Sequence, residues 1–213
     1  MNIPAPHGHL EVAHREPPGT LRGAAVVCHP HPLQGGTMHT KAVFRAAQAL
    51  ADVKIAALRF NFRGVGTSSG SYDQGFGEKE DVGAALDWLE ERHPGLPLVA
   101  GGFSFGSMVA LSAAADDPRV VALFGLGLPI RMYDYRFLAD VAKPILIIQG
   151  EEDEFGSGLE IEPLVAGLGS HVTLARIAGG DHYFEGHIDE MKAVLSQFFQ
   201  SGPGGDVIGG SIE

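Results

Sequence analysis

The stretch LVAGGFSFGSMVALSAAA, residues 98–115, decides how the rest of the chain is read. Its opening, Leu98 to Phe103, is apolar or glycine throughout, the pattern of a strand covered on both faces. Its close, Phe105 to Ala115, is a run of small and apolar residues of helical length. Between them sits Ser104, with Gly102 and Gly106 two residues to either side. A serine at such a strand-to-helix turn is held in a strained conformation that lifts its hydroxyl above the sheet, and the flanking glycines let the two backbones approach where a Cβ would collide. Gly101 extends that allowance. Ser104 is therefore the candidate nucleophile.

Outward from this turn, short apolar runs alternate with longer helical patterns, which predicts a mostly parallel sheet with helices on both faces. Before it come a strand at Ala24 to Cys28, a helix at Lys41 to Asp52 and a strand at Lys54 to Phe62. A glycine-rich loop, Arg63 to Gly77, leads to a helix from Glu80 to Arg92, with Val82, Ala85, Leu86 and Leu89 on one stripe and its acids exposed. After it come strands at Val120 to Leu128, Lys143 to Gln149 and His171 to Ile177. A closing helix, Ile188 to Phe199, turns Met191, Val194, Leu195 and Phe198 inward. Residues 1–200 read as one α/β domain, and residues 201–213, rich in glycine, as a mobile tail.

The composition narrows the partners. With 15 Lys and Arg against 26 Asp and Glu, the net charge of -11 repels phosphate backbones and anionic membranes. A single cysteine, Cys28, allows no internal disulfide and reads as a core residue. No apolar run reaches the ~18 residues of a membrane helix, and the N-terminus has no signal-peptide pattern. A cytoplasmic protein with no nucleic-acid or membrane partner is the expectation.

Serine needs a positioned base, itself oriented by an acid, and behind a G-x-S-x-G turn the acid precedes the histidine in the chain. The strand ending near Gln149 is followed by Gly150-Glu151-Glu152-Asp153-Glu154. Asp153 is the expected acid, because three residues beyond Gly150 the chain has room to turn over the sheet edge. Gly179-Gly180-Asp181-His182 follows the last strand and supplies the base; His187, at the start of the closing helix, is the competitor and reads as a surface histidine. An acyl-transfer site also needs backbone N–H donors for an oxyanion. Phe105 N follows the nucleophile directly. The second donor is expected in the loop after the Ala24 to Cys28 strand, where Pro30 and Pro32 have no N–H, leaving His31 and Leu33.

These residues resemble a known family. CHPHPLQGGTM (28–38), LRFNFRGVG (58–66) and the GFSFG turn are similar to the compact bacterial α/β-hydrolases described as predicted esterases or dienelactone-hydrolase-like proteins, over roughly Gly23 to Phe199. The resemblance implies the α/β-hydrolase fold, a carboxylesterase-like serine hydrolase with the triad Ser104, Asp153 and His182, and His31 as the second oxyanion donor. It implies no cofactor. Dienelactone hydrolases proper carry a cysteine nucleophile, which sets that activity aside here. Between Pro129 and Lys143, where larger relatives insert a lid, only a short turn or helix fits, so an open site taking a short-chain ester, or a thioester, is expected.

Three other readings rank lower. His29, His31 and His39 contain a His-x-His pair, but the acids that metal-dependent hydrolases add nearby are missing, and no metal is expected. Gly64-x-Gly66 opens no helix and reads as a turn shaping the site wall. A fold relative without catalysis, acting as a binding or scaffolding module, is the alternative function.

Overall fold

The computed structural model describes residues 1–209. Eight strands, β1 (Asn2–Ala5), β2 (Gly8–Arg15), β3 (Gly23–Cys28), β4 (Ile55–Phe60), β5 (Leu98–Phe103), β6 (Val120–Leu126), β7 (Ile145–Gly150) and β8 (Val172–Ile177), form one sheet. Their order is β1-β2-β4-β3-β5-β6-β7-β8. The pairs β1–β2 and β2–β4 are antiparallel and all others parallel. The strands β3, β4, β5 and β7 are buried along their whole length, because helices cover both faces and every side chain, up or down, meets another element.

On one face lie α1 (Lys41–Asp52) and α5 (Ile188–Ser201), which bring Val43, Leu50, Met191 and Phe199 against Val27 and Phe124. On the other lie α2 (Phe76–Arg92), α3 (Phe105–Ala114) and α4 (Gly158–Leu168), with Val82, Leu86, Val109 and Ile161 in the core. Each such side chain contributes about 1.5–3 kcal/mol by leaving water. No helix among the described residues is long and apolar enough to cross a membrane.

Four features differ from the sequence reading. The β1–β2 hairpin was not expected, because Pro4, Pro6 and a polar edge hide the few inward residues, Ile3, Leu10 and Val12. The helix α4 was not expected, because Pro163 and two glycines break its pattern; the signal present was Ser157, whose N–H and hydroxyl both donate to Glu160 at 2.9 and 2.8 Å, half of a capping arrangement. The helix α2 starts a turn earlier than Glu80, and two of its acids are buried rather than exposed. Glu78 accepts from Asp73 N and Gly75 N at 2.9 and 2.7 Å, and Asp81 accepts from the backbone and guanidinium of Arg63. The segment after Ser201 includes a short packed helix, α6 (Pro203–Val207), with Ile208 buried and Arg22 Nε donating to Gly209 O at 3.3 Å. The rest of the expected tail, residues 210–213, lies outside the described residues.

The chain runs from β3 outward to β4 on one side, then crosses through α2 to β5 on the other. In open α/β sheets, ligands bind at the carboxyl ends of the strands where the order reverses in this way. The turns holding His31, Ser104, Asp153 and His182 follow the carboxyl ends of β3, β5, β7 and β8 respectively.

Candidate active site

Ser104 has φ 56° and ψ -125°, a conformation that costs a non-glycine residue about 1–3 kcal/mol and persists only where its surroundings impose it. They do so on both sides. Ser104 N donates to Leu126 O at 2.9 Å on β6, and the Ser107 hydroxyl donates to Ser104 O at 2.6 Å. A Cβ on Gly106 would collide with the carbonyls of Cys28 and His29, and one on Gly102 with the backbone of Gly106. The two glycines thus permit the close approach of β3, β5 and α3.

His182 Nε2 lies 2.9 Å from Ser104 Oγ, and its Nδ1 lies 2.8 Å from Asp153 Oδ2. An ionised carboxylate only accepts, so Nδ1 carries the proton and the Nε2 lone pair faces the serine hydroxyl. The imidazole is clasped by the rings of Phe103, Phe155 and Tyr183 at centroid distances of 5.0, 4.6 and 5.3 Å. His187 stands apart, with its Nδ1 3.4 Å from Glu190. Of the four clustered acids, Asp153 alone is buried; Glu152 and Glu154 are exposed and Glu151 faces Arg176.

One residue of this arrangement escaped the sequence reading. Gln149, fully buried at the end of β7, accepts from Leu128 N at 2.8 Å and donates to Asp153 Oδ2 at 2.8 Å and Gly156 O at 2.6 Å. It ties the loop bearing the acid to the loop after β6. Asp153 Oδ1 in turn accepts from Phe155 N at 2.8 Å. As one glutamine at a strand end, Gln149 carries no sequence signal. Gln149→Leu leaves Leu128 N–H buried without an acceptor, at a cost of about 1–3 kcal/mol, so its melting midpoint should fall by roughly 2–12 °C. Loss of the donor to Asp153 should lower kcat roughly 10- to 100-fold through misplacement of the carboxylate. Calorimetry and steady-state kinetics on the variant check both.

The loop after β3 is held from below by His29. Its Nε2 accepts from Phe62 N at 3.0 Å, so its Nδ1 carries the proton and donates to Pro30 O at 2.6 Å. Burial pushes the His29 pKa down to about 4, against the smaller opposing effect of the bond to Pro30. Between pH 6.5 and about 4 the unfolded chain binds a proton there that the folded chain refuses. Stability is therefore fully present above pH 6.5 and falls as the pH is lowered through that window, by up to about 3 kcal/mol at 1.36 kcal/mol per pKa unit. His29→Gln, which keeps an acceptor for Phe62 N–H, should flatten the stability–pH curve over that range by about one proton, as denaturant titrations at several pH values would measure.

His31 Nδ1 accepts from Leu33 N at 3.2 Å, and its Nε2 meets Tyr72 Oη at 3.0 Å. Leu33 N–H is thereby engaged by the His31 ring itself, which leaves His31 N as the donor of the two that remains for a ligand. Tyr72, from the glycine-rich loop, packs against both His31 and Phe105 at centroid distances of 5.0 and 5.9 Å. The Gly64-x-Gly66 turn does not shape the site wall as expected: it packs under the β1–β2 hairpin, where a Cβ on Gly66 would meet Glu11 and Asn61. His29, His31 and His39 do not converge into a metal-ligating group among the described residues, since both His29 ring nitrogens are spent on backbone.

Ser104 and His182 open into a cleft of about 260 Å³, walled by His31, Pro129, Met132, Tyr133, Phe155 and Tyr183. Between Pro129 and Lys143 the chain makes only a short 3-10 turn, Arg136–Asp140, and no covering domain.

Comparison with known proteins agrees with the fold. A family model described as an alpha/beta hydrolase domain matches residues 25–196. An uncharacterized protein of Rickettsia prowazekii is 36% identical over 203 residues, 91% of this chain and 85% of that protein. A serine hydrolase homologue from Coxiella burnetii superposes with a TM-score of 0.87 at 36% identity, covering 92% of this chain and 95% of that one. A serine hydrolase without a lid from Xanthomonas campestris gives 0.86 at 35% identity, covering 93% and 92%. Matched by the family model over most of its length and by these relatives at 35–36% identity, the chain belongs to the α/β-hydrolase family, as one of its compact members without a lid.

Proposed function

We propose that this hydrolase cleaves carboxylic esters or thioesters of short acyl groups, with Ser104 as nucleophile, His182 as general base and Asp153 as the group that orients it. The observation that carries this reading is the continuous chain from Ser104 Oγ through His182 to Asp153, at 2.9 and 2.8 Å. His182 Nε2 takes the hydroxyl proton as Oγ attacks the carbonyl carbon. The oxyanion is received by Phe105 N, at the positive end of α3, and by His31 N. The imidazolium, stabilised by Asp153, then protonates the departing alkoxide or thiolate, leaving an acyl-serine. Water attacks it with His182 again taking the proton, which restores the hydroxyl and releases the acid.

A fluorophosphonate probe tests the chemistry. It should label one residue per chain, Ser104, by expulsion of fluoride. A chain left unlabelled, as the non-catalytic alternative requires, would end the hydrolase reading.

The uncovered cleft sets the acyl preference. A methylene fully buried is worth about 0.8 kcal/mol, roughly fourfold in affinity, but Met132 and Tyr183 at the rim are about half exposed and enclose no tunnel. Across p-nitrophenyl esters, kcat/KM should peak between acetate and hexanoate and be flat or falling beyond. A steady rise to the dodecanoate would require an apolar channel that the cleft lacks.

A further inference from the structure

Away from this cleft, two imidazoles and a carboxylate converge. His14 lies on β2, where it pairs with Leu58 of β4, and His93 caps the C-terminus of α2 with its N–H on Leu89 O at 2.8 Å. Their Nε2 atoms are 3.3 Å apart, and Glu16 Oε2 lies 4.0 Å from His93 Nε2. The three ligand atoms all fall within 4.8 Å of one another, the one such grouping of three among the described residues.

We propose that His14, His93 and Glu16 form a zinc site that clamps the strand β2 to the end of α2. For Zn–N bonds of about 2.0–2.1 Å at tetrahedral angles, two nitrogens stand about 3.3–3.4 Å apart, which the imidazoles already meet on two rigid elements. Glu16 is more than a third exposed, so its carboxylate can swing from 4.0 Å to the ~3.3 Å that a shared zinc requires, leaving its 3.5 Å contact with Arg92. Water fills the fourth position. Burial lowers the pKa of both imidazoles, in the direction of the neutral form that ligates. The Trp88 ring, 5.2 Å from His14 and edge-on to it, fixes that imidazole's orientation. Two imidazoles and one carboxylate suit zinc, whereas magnesium and calcium prefer all-oxygen sets. The site lies at the amino-terminal ends of the parallel strands, opposite Ser104, so its role is to hold the fold.

The test is calorimetric titration of the EDTA-stripped protein with zinc chloride. One zinc per chain is expected, retained in His182→Ala, lost or weakened at least tenfold in His14→Asn and His93→Asn, and weakened in Glu16→Gln, which alters an exposed side chain and keeps the fold. At free zinc about 100 times the dissociation constant, the thermal midpoint should rise by roughly 5–10 °C in the parent and not in His14→Asn. Cobalt(II) in place of zinc should give the intense visible bands of a four-coordinate ion. The proposal is overturned if the parent binds no zinc, if His14→Asn and Glu16→Gln both bind as the parent does, or if His182→Ala alone abolishes uptake.

Discussion

Ser104→Ala is expected to lower kcat/KM for p-nitrophenyl acetate by about 10⁴- to 10⁶-fold while the melting midpoint stays within about 2 °C of the parent. The loss is large because deleting Oγ abolishes the acyl-serine and leaves only the oxyanion donors, Phe105 N and His31 N. The fold survives because what holds the turn is backbone: Ser104 N on Leu126 O, and Ser104 O receiving the Ser107 hydroxyl. Ser107 is no substitute nucleophile. It is fully buried, and its hydroxyl is shared between Ser104 O and Tyr135 Oη, the latter at 3.1 Å. Turnover within tenfold of the parent, with intact folding by circular dichroism, would mean that the Ser104–His182 contact is structural.

How much of this was legible in advance follows from where each constraint resides. The GFSFG turn could be read because its requirements are local: a serine in a strained conformation, glycines two residues away, a strand before and a helix after. The strands β3, β5 and β7 could be read because burial on both faces writes a nearly unbroken apolar run. The β1–β2 hairpin could not, because an edge pair buries only Ile3, Leu10 and Val12 among prolines and polar residues. Nor could the burial of Glu78 and Asp81, whose partners in the Arg63 to Gly77 loop are joined to α2 by contacts that leave no periodic trace. Asp153 and His182 could be named from chain order. Gln149, Tyr72 and His29 bear on the same site only through contacts that join separate segments of the chain.

Asp153→Asn should lower kcat by about 10⁴-fold, close to the effect of removing the nucleophile, although it changes a single atom. Asp153 accepts from three donors: Phe155 N on Oδ1, and Gln149 Nε2 and His182 Nδ1 on Oδ2. Asparagine offers one acceptor oxygen and an NH₂ group. If its oxygen faces Phe155, the NH₂ opposes both the Gln149 amide and the proton on His182 Nδ1, and the imidazole is driven to the tautomer that places its proton toward Ser104. If it faces His182, the NH₂ opposes Phe155 N–H, and the loop from Asp153 to Gly156 must move. In the first case His182 loses the lone pair that accepts the serine proton, in the second it loses its position, and in both the imidazolium loses its counter-charge. Glu152→Gln and Glu154→Gln, on exposed side chains beside it, should change kcat by less than about twofold, since their charges are screened by solvent. Stopped-flow acylation rates and fluorophosphonate labelling rates on the three variants separate the acids directly. An Asp153→Asn protein that acylates within tenfold of the parent, or a Glu152→Gln protein that does not acylate, would reassign the acid of the triad.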